Sequence, residues 1–315
     1  MGKHVIVGAG QVGSQLAESL AADGHEVVVV TRSGSGPAAA GVTRVAADAG
    51  NAERLTDLVK GADALYNCAN PQYHRWAQDW PPMATALLTA AERSGAVLVT
   101  LSNLYGYGPV DRPMTEDLPM AAPGTKGQVR ARMWSDALAA HRAGRVRMTE
   151  VRGSDYFGPG MSAQSVFGDR FIAPILAGKT AWIPADPDQP HSMTYLPDVA
   201  RAMAAVATDE RALGRAWHVP TSPALTIRQV AERTAAIAGA PAPRLRSIPH
   251  LVMRAAGLFS PLLRELEETR YQFVRPFVVD SSAFETTFGI APTPLDEALK
   301  QTITWLRTTN PAQNS

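Results

Sequence analysis

Short β-branched runs alternate with stretches of helical apolar spacing through the first half of the chain. His4 to Val7 opens the series, and a helical pattern follows from Val12 to Ala22. His25 to Thr31 is a nearly continuous apolar run, as a parallel strand buried on both faces requires. Further strands are predicted over Val42 to Ala46, Ala64 to Asn67, Ala96 to Leu101 and Arg147 to Val151. Between them, Asn51 is placed to cap a helix running to Lys60, and helical spacing marks Met83 to Ser94 and Lys126 to His141. This alternation predicts an α/β fold built on a doubly wound parallel sheet. Beyond Gly153 proline and glycine become frequent and the alternation weakens. Helices are predicted over Gln164 to Leu176, Leu225 to Ala238 and Leu295 to Leu306, and strands over Arg244 to Ile248 and Phe277 to Val279. The expected organisation is a first domain over residues 1–153 and a smaller one over 154–307, some of whose segments return to the first. Residues 308–315 read as a polar, frayed tail.

Gly8, Gly10 and Gly13 close the first strand and open the first helix. G-x-G-x-x-G in that setting is a dinucleotide-binding turn. Gly8 permits the tight turn, Gly10 lets the backbone approach a pyrophosphate, and Gly13 lets helix and strand pack closely. The residues that begin the helix, Gln11, Val12 and Gly13, present amides where the helix dipole favours phosphate. Residues 1–153 thus read as a Rossmann-type nucleotide domain, and the smaller domain as substrate-binding. The second strand narrows the cofactor. An NAD-selective site places an acid at its end to bind the ribose 2′-hydroxyl, but here Thr31, Arg32 and Ser33 stand there. Arg32 can fork onto a 2′-phosphate and Ser33 can add a hydroxyl donor, so NADP is expected over NAD.

With 315 residues the chain can bury a large core. A net charge of +1 gives no electrostatic case for nucleic acid or an anionic membrane. No apolar run approaches a membrane span, and the first strand begins too early for a signal peptide, so a cytoplasmic location is expected. Cys68 is the only cysteine, which excludes an intrachain disulfide and suits a reducing compartment. Seven histidines without ligand spacing make no metal site. A small-molecule substrate is the expected partner, and a homodimer is compatible with the sequence.

Several motifs occur in an order that resembles the short-chain dehydrogenase/reductase superfamily, in its extended branch of NAD-dependent epimerases and dehydratases. Beside the glycine turn, Asn67-Cys68-Ala69 matches the segment that passes under the nicotinamide ribose, and Asp48 stands where the family contacts the adenine. Tyr105-Gly106 matches a Tyr-Gly after the fifth strand, and Phe157-Gly158-Pro159-Gly160 resembles a Tyr-Gly-Pro-Gly turn. Tyr195-Leu-Pro-Asp198-Val-Ala resembles the family's His-Val-Asp-Asp-Val-Ala. The resemblance covers nearly the whole chain.

The catalytic pattern of that family departs. Its Ser or Thr after the fifth strand falls on Leu101, with Ser102 one residue later. Its Tyr-x-x-x-Lys pair falls on Lys126 and Arg130, and no Tyr-x-x-x-Lys occurs anywhere in the chain. Lys126 can itself shuttle a proton if desolvation lowers its pKa, as in isoflavone-reductase-like relatives. Arg130, one helical turn on, cannot exchange protons and is assigned to a ribose or phosphate. Tyr156 is a second candidate for the proton, and Tyr105 or Tyr107 a third. A solvated basic helix face is the plain alternative for Lys126 and Arg130. Tyr73, Trp76 and Trp80 follow the fourth strand, where such sheets bind ligands, and with Tyr105 can wall an apolar substrate or simply anchor a helix. His191 stands near the position of an arginine that contacts phosphate in nucleotide-sugar enzymes, and replaces it poorly.

The reading that results is an NADP(H)-dependent oxidoreductase of atypical type acting on a small, rather apolar carbonyl or alcohol. Two alternatives stand beside it. One is an epimerase or dehydratase that uses the cofactor transiently, and the other is a non-catalytic NADP-binding sensor.

Overall fold

The computed structural model describes residues 1–161 and 165–309. Strand β1 (Lys3–Val7) leads to α1 (Gln11–Ala22), β2 (Glu26–Thr31), β3 (Val42–Ala46), α2 (Ala52–Val59), β4 (Ala64–Asn67) and α3 (Trp76–Ser94). Next come β5 (Val97–Asn103), α4 (Thr125–Arg142), β6 (Met148–Gly153), β7 (Asp155–Phe157) and α5 (Asp169–Leu176). They are followed by β8 (Thr180–Ile183), β9 (Pro190–His191), β10 (Met193–Tyr195), α6 (Leu196–Thr208) and β11 (Ala216–His218). Then come β12 (Leu225–Thr226), α7 (Ile227–Ala238), β13 (Arg244–Ser247), α8 (His250–Gly257), α9 (Pro261–Thr269), α10 (Tyr271–Val274), α11 (Ser282–Phe288) and α12 (Leu295–Thr309).

By contacts the chain divides into two compact units. The first holds residues 1–108, 116–153 and 199–219; the second holds 109–115, 154–198 and 220 onward. In the first unit a seven-stranded sheet runs β11-β6-β5-β4-β1-β2-β3, with every pairing parallel. This is the Rossmann-type doubly wound sheet that the alternation predicts. Val27 to Val30 are all buried, as befits an interior parallel strand. At the edge, β3 turns exposed Thr43 and Arg44 outward, which discourages further pairing. One face of the core joins Val5, Val28, Leu65 and Leu98 to Leu55, Val59 and Leu87 of α2 and α3. Strand order reverses at β1, whose neighbours are β2 and β4, and Val7 lies in register with Asn67. The segments leaving those two ends flank the switch point, where open α/β sheets bind ligands.

In the second unit β7 pairs with β10 and β8 with β13 in parallel, while β9 pairs with β12 antiparallel. Helix α7 packs against α5 and α12. Thr226 caps α7 with a reciprocal box, its hydroxyl accepting from the Gln229 amide while the Gln229 side chain accepts from the Thr226 amide.

Some boundaries differ from the sequence pattern for identifiable reasons. Helix α3 begins at Trp76, not near Met83, although Pro81 and Pro82 lie inside it. Trp76 and Trp80, one turn apart and both buried, supply packing that outweighs the amide hydrogens the prolines lack. The span read as a helix from Gln164 is helical from Asp169, Gln164 itself lying outside the described residues. Thr308 and Thr309, read as tail, are the last residues of α12, and 310–315 lie outside the described residues. Phe277 and Val279 make single bridges to His191 and Met114 in place of a strand. Among the described residues, no helix is long and apolar enough to cross a membrane.

Candidate functional site

The glycine turn leaves β1 with Gly8 at φ 100°, a left-handed conformation that glycine adopts without strain. A Cβ at Gly8 would lie 2.7 Å from the Ala69 amide nitrogen, so this turn and the segment after β4 are in direct backbone contact. A Cβ at Gly13 would lie 2.0 Å from the Gly8 carbonyl oxygen. At Gly10 the geometry differs: a Cβ there meets no protein atom within 4 Å. Two glycines thus serve the protein's own packing, while the third borders open space at the N-terminus of α1. Gly10 is the N-cap of that helix and contributes no side-chain cap, leaving a bare helix end of the kind that receives phosphate. The turn therefore fits a dinucleotide, with Gln11, Val12 and Gly13 in the first turn behind it.

The other residues matched to the cofactor lie in the same unit. Asn67 ends β4, and its side chain accepts a hydrogen bond from the Ala69 amide at 3.3 Å, shaping the segment under the switch point. Cys68 is buried, and burial pushes its thiol up to about 12, which leaves it an inert packing group. Asp48 is exposed and accepts from the Gly50 amide at 2.9 Å. At the end of β2 the Thr31 hydroxyl donates to the Ser35 carbonyl and the Ser33 hydroxyl to that of Ser35, while Arg32 is exposed.

Tyr73, Trp76, Trp80 and Tyr105 converge with Lys126 and Arg130, although they come from four separate segments. Lys126 and Arg130 share one face of α4 and are both buried, Lys126 to 2% exposure. The Arg130 guanidinium lies 4.7 Å from the Trp76 ring and 4.5 Å from the Trp80 ring. It also donates to the Leu101 carbonyl at 3.5 Å. A cation stacked on two desolvated indoles is held by about 1–2 kcal/mol per ring, so Arg130 ties α4 to α3. The Lys126 ammonium stands over the Tyr73 ring at 5.0 Å. The Tyr73 hydroxyl in turn donates to the Tyr105 hydroxyl. Both tyrosines are half-buried, whereas Trp76 and Trp80 are closed off within the packing. Ser102, on β5, is buried with a hydroxyl that finds no partner among the described residues.

A buried polar network beside these residues escaped the sequence reading. Arg152 on β6 donates to Glu150 at 2.6 Å and to the Tyr107 hydroxyl at 2.7 Å. That hydroxyl also meets His218 Nε2 at 2.8 Å, and the His218 amide donates to Glu116 at 2.9 Å. The Arg152 guanidinium also lies over the rings of Tyr107 and Trp134. Burial pushes the Tyr107 phenol up to about 12 despite the arginine beside it. The one sequence signal was two charges, Glu150 and Arg152, alternating with Thr149 and Val151 in an otherwise apolar strand.

In the second unit Tyr156 is half-buried on β7, paired with Thr194, and its carbonyl accepts from the Ser165 hydroxyl. His191 is enclosed by Phe167, Phe273 and Phe277, with Nε2 at 2.8 Å from Asp155 and Nδ1 at 3.1 Å from the Gln272 carbonyl. Among the described residues, no three His, Cys, Asp or Glu side chains gather as metal ligands.

The glycine turn, the switch point and the sheet define a dinucleotide-dependent enzyme of the doubly wound class. Residues 4–219 match the model of the NAD-dependent epimerase/dehydratase family, and the chain belongs to that family. Solved structures of the same fold align along almost its entire length. The UDP-N-acetylglucosamine 4-epimerase of Methanobrevibacter ruminantium, in complex with UDP-N-acetylmuramic acid, has a TM-score of 0.81 at 17% identity, covering 98% of this chain and 99% of its own. The dTDP-glucose 4,6-dehydratase of Bacillus anthracis, in complex with NAD, has a TM-score of 0.79 at 15% identity, covering 99% and 98%. The UDP-glucose 4-epimerase of Thermotoga maritima, with UDP-glucose, has a TM-score of 0.78 at 18% identity, covering 98% and 99%. No curated protein matches the chain.

Proposed function

We propose that the chain is an NADP(H)-dependent oxidoreductase whose substrate is a small, largely apolar carbonyl or alcohol. Bound nicotinamide supplies a hydride acceptor or donor at its C4. The observation that carries the reading is the buried Lys126 ammonium beside two half-buried phenols, at the helix start where the family's proton-transfer pair belongs. The half-buried rings of Tyr73 and Tyr105, the aromatic surface left once Trp76 and Trp80 are closed off, suit an apolar substrate better than a charged one. Gly10 and the first turn of α1 receive the pyrophosphate, Asn67 to Ala69 and Asp48 border the nucleosides, and Arg32 with Ser33 selects the 2′-phosphate. Arg130, fixed between indoles, orients the opening turns of α4 and with them Lys126. Substrate recognition is assigned to the second unit, with Tyr156 as its candidate for proton transfer.

A second reading is favoured by the family itself and by neighbours crystallised with NAD and nucleotide sugars. In it, an epimerase or dehydratase oxidises and then re-reduces one sugar carbon, returning NAD unchanged. Incubating the protein with NADPH or NADH and benzaldehyde or cyclohexanone, and separately with NAD or NADP and UDP-glucose, separates the two. Stoichiometric NADPH loss with an apolar carbonyl supports the first. Conversion of UDP-glucose without net change in the nicotinamide absorbance establishes the second and overturns the first.

A further inference from the structure

Resting on the oxidoreductase reading, we infer that the proton is carried by the hydrogen-bonded phenols of Tyr105 and Tyr73, with Lys126 as the cation that positions and charges the pair. These are residues from the loop after β4, the turn after β5 and the first turn of α4, so no local motif announces them. Three observations carry the assignment. The Tyr73 hydroxyl donates to that of Tyr105, so the Tyr105 proton is directed away from Tyr73. The Lys126 ammonium lies 5.0 Å from the centre of the Tyr73 ring and is itself buried, where its charge is poorly screened. Both phenols are only half-buried, unlike Tyr66 and Tyr107, which are enclosed.

In the reducing direction the carbonyl carbon gains a hydride from the reduced dinucleotide, which is thereby oxidised by two electrons. The C=O π pair moves onto oxygen, and that oxygen takes the Tyr105 hydroxyl proton. The phenolate so formed is refilled by Tyr73 across their hydrogen bond, and solvent returns a proton to Tyr73. The Lys126 ammonium over the Tyr73 ring, one hydrogen bond away from Tyr105, stabilises negative charge shared across the phenol pair, because an opposite charge favours the ionised form. Oxidation of an alcohol reverses each transfer.

Nitration by tetranitromethane, which consumes phenolate, tests this without turnover. Peptide mass spectrometry reads each tyrosine, with half-buried Tyr271 as the internal reference. Tyr73 and Tyr105 should nitrate several-fold faster than the reference. Lys126→Met should bring them down to the reference rate, Lys126→Arg should retain the excess, and saturating NADP or NAD should protect Tyr105. Equal rates in the wild type, or rates indifferent to Lys126→Met or to dinucleotide, overturn the inference. With the carbonyl probes above, Tyr105→Phe should lower turnover by ~10²-fold or more, the low end for general acid–base catalysis, with dinucleotide affinity within about two-fold. Full turnover by that variant also overturns it. Wild-type protein that binds no dinucleotide would instead defeat the oxidoreductase reading, while the Lys126 comparison would still decide whether the phenols are a charged pair.

Discussion

Adding one methyl group at Gly10 and, separately, at Gly13 should split binding from folding. Gly10 sits at φ −75° and ψ −167°, extended backbone open to alanine. A Cβ there touches nothing within 4 Å. Alanine narrows the unfolded ensemble by about 0.4–1 kcal/mol in favour of folding, offset by its poorer fitness as an N-cap. Gly10→Ala should therefore hold its stability to within about 0.5 kcal/mol. The added methyl occupies the approach of the pyrophosphate, and overfilling a fitted contact costs about 1–3 kcal/mol. At 1.4 kcal/mol per decade, dinucleotide affinity should fall roughly 5- to 150-fold.

Gly13→Ala meets the protein itself. Its Cβ would lie 2.0 Å from the Gly8 carbonyl oxygen and 3.1 Å from the Cys68 Cβ. Ordinary non-bonded separation requires α1 to retreat by roughly 1 Å or more. Neither a backbone carbonyl nor a packed strand end yields that distance freely, so unfolding stability should drop by about 1–3 kcal/mol and binding should fail as well. Urea unfolding gives the first quantity; quenching of tryptophan fluorescence by NADP and NAD gives the second. If Gly10→Ala binds both dinucleotides as the wild type does, the turn is not a phosphate cradle and the functional reading loses its base. Equal stability of the two alanine variants would refute the packing argument alone.

Four other outcomes are expected. Calorimetric titration should show NADP binding more tightly than NAD, with Arg32→Asp reversing the order; equal or tighter NAD binding to the wild type sinks the assignment of Arg32. Lys126→Ala should cost at least ~10²-fold in turnover on any accepted carbonyl, and retention of activity alongside its loss in Tyr156→Phe would move the proton to Tyr156. Arg152→Met strips Glu150 of its partner at 2.6 Å inside the core and should lower stability by about 3–5 kcal/mol; a double variant with Glu150→Met should recover much of it in urea unfolding. Gly127→Ala, whose Cβ would lie 2.5 Å from the Tyr105 carbonyl oxygen, should reduce Tyr105 nitration while leaving dinucleotide affinity near the wild-type value.

The sheet was legible because its interior strands are buried on both faces and need unbroken apolar runs; β2 and β4 coincide almost residue for residue with theirs. Three-residue β11 was not legible, since Ala216 to His218 carries too few positions to set a period and pairs only because β6 is there. The start of α3 was hidden for the opposite reason. Pro81 and Pro82 are strong local breakers, and only the tertiary burial of Trp76 and Trp80 overrides them. The glycine turn could be read whole because its three glycines lie within six residues, although only Gly8 answers a backbone demand, while Gly13 answers a packing contact and Gly10 borders open space. The neighbourhood of Lys126 could be assembled only in part. Sequence placed Lys126 and Arg130 on one helical face, but not the indoles that hold Arg130 or the bond between Tyr73 and Tyr105. Those contacts join residues separated by dozens of positions, and no spacing rule encodes them.

Physical coupling between the buried ion network and the two phenols follows from the turn they share. Residues Tyr105 to Tyr107 form a single 3₁₀ turn. One end of it is fixed in the core, where the Tyr107 hydroxyl meets both Arg152 and His218. Its other end carries Tyr105, and the backbone between them is held by the Ala122 amide donating to the Gly106 carbonyl at 3.1 Å. Helix α4 then closes on the same turn: only a glycine at 127 lets its first turn approach the Tyr105 carbonyl, and Lys126 is the preceding residue. A paired charge buried in a strand is weak as a source of stability but strict in geometry, because each partner is costly to leave alone. Such strictness is what a proton-transfer group needs when it is not carried on one rigid helix face. In the Tyr-x-x-x-Lys arrangement, helical periodicity alone sets the distance between phenol and ammonium. Under the assignment proposed here that distance depends on three elements, and the Glu150–Arg152–Tyr107–His218 chain would supply the rigidity that periodicity otherwise provides.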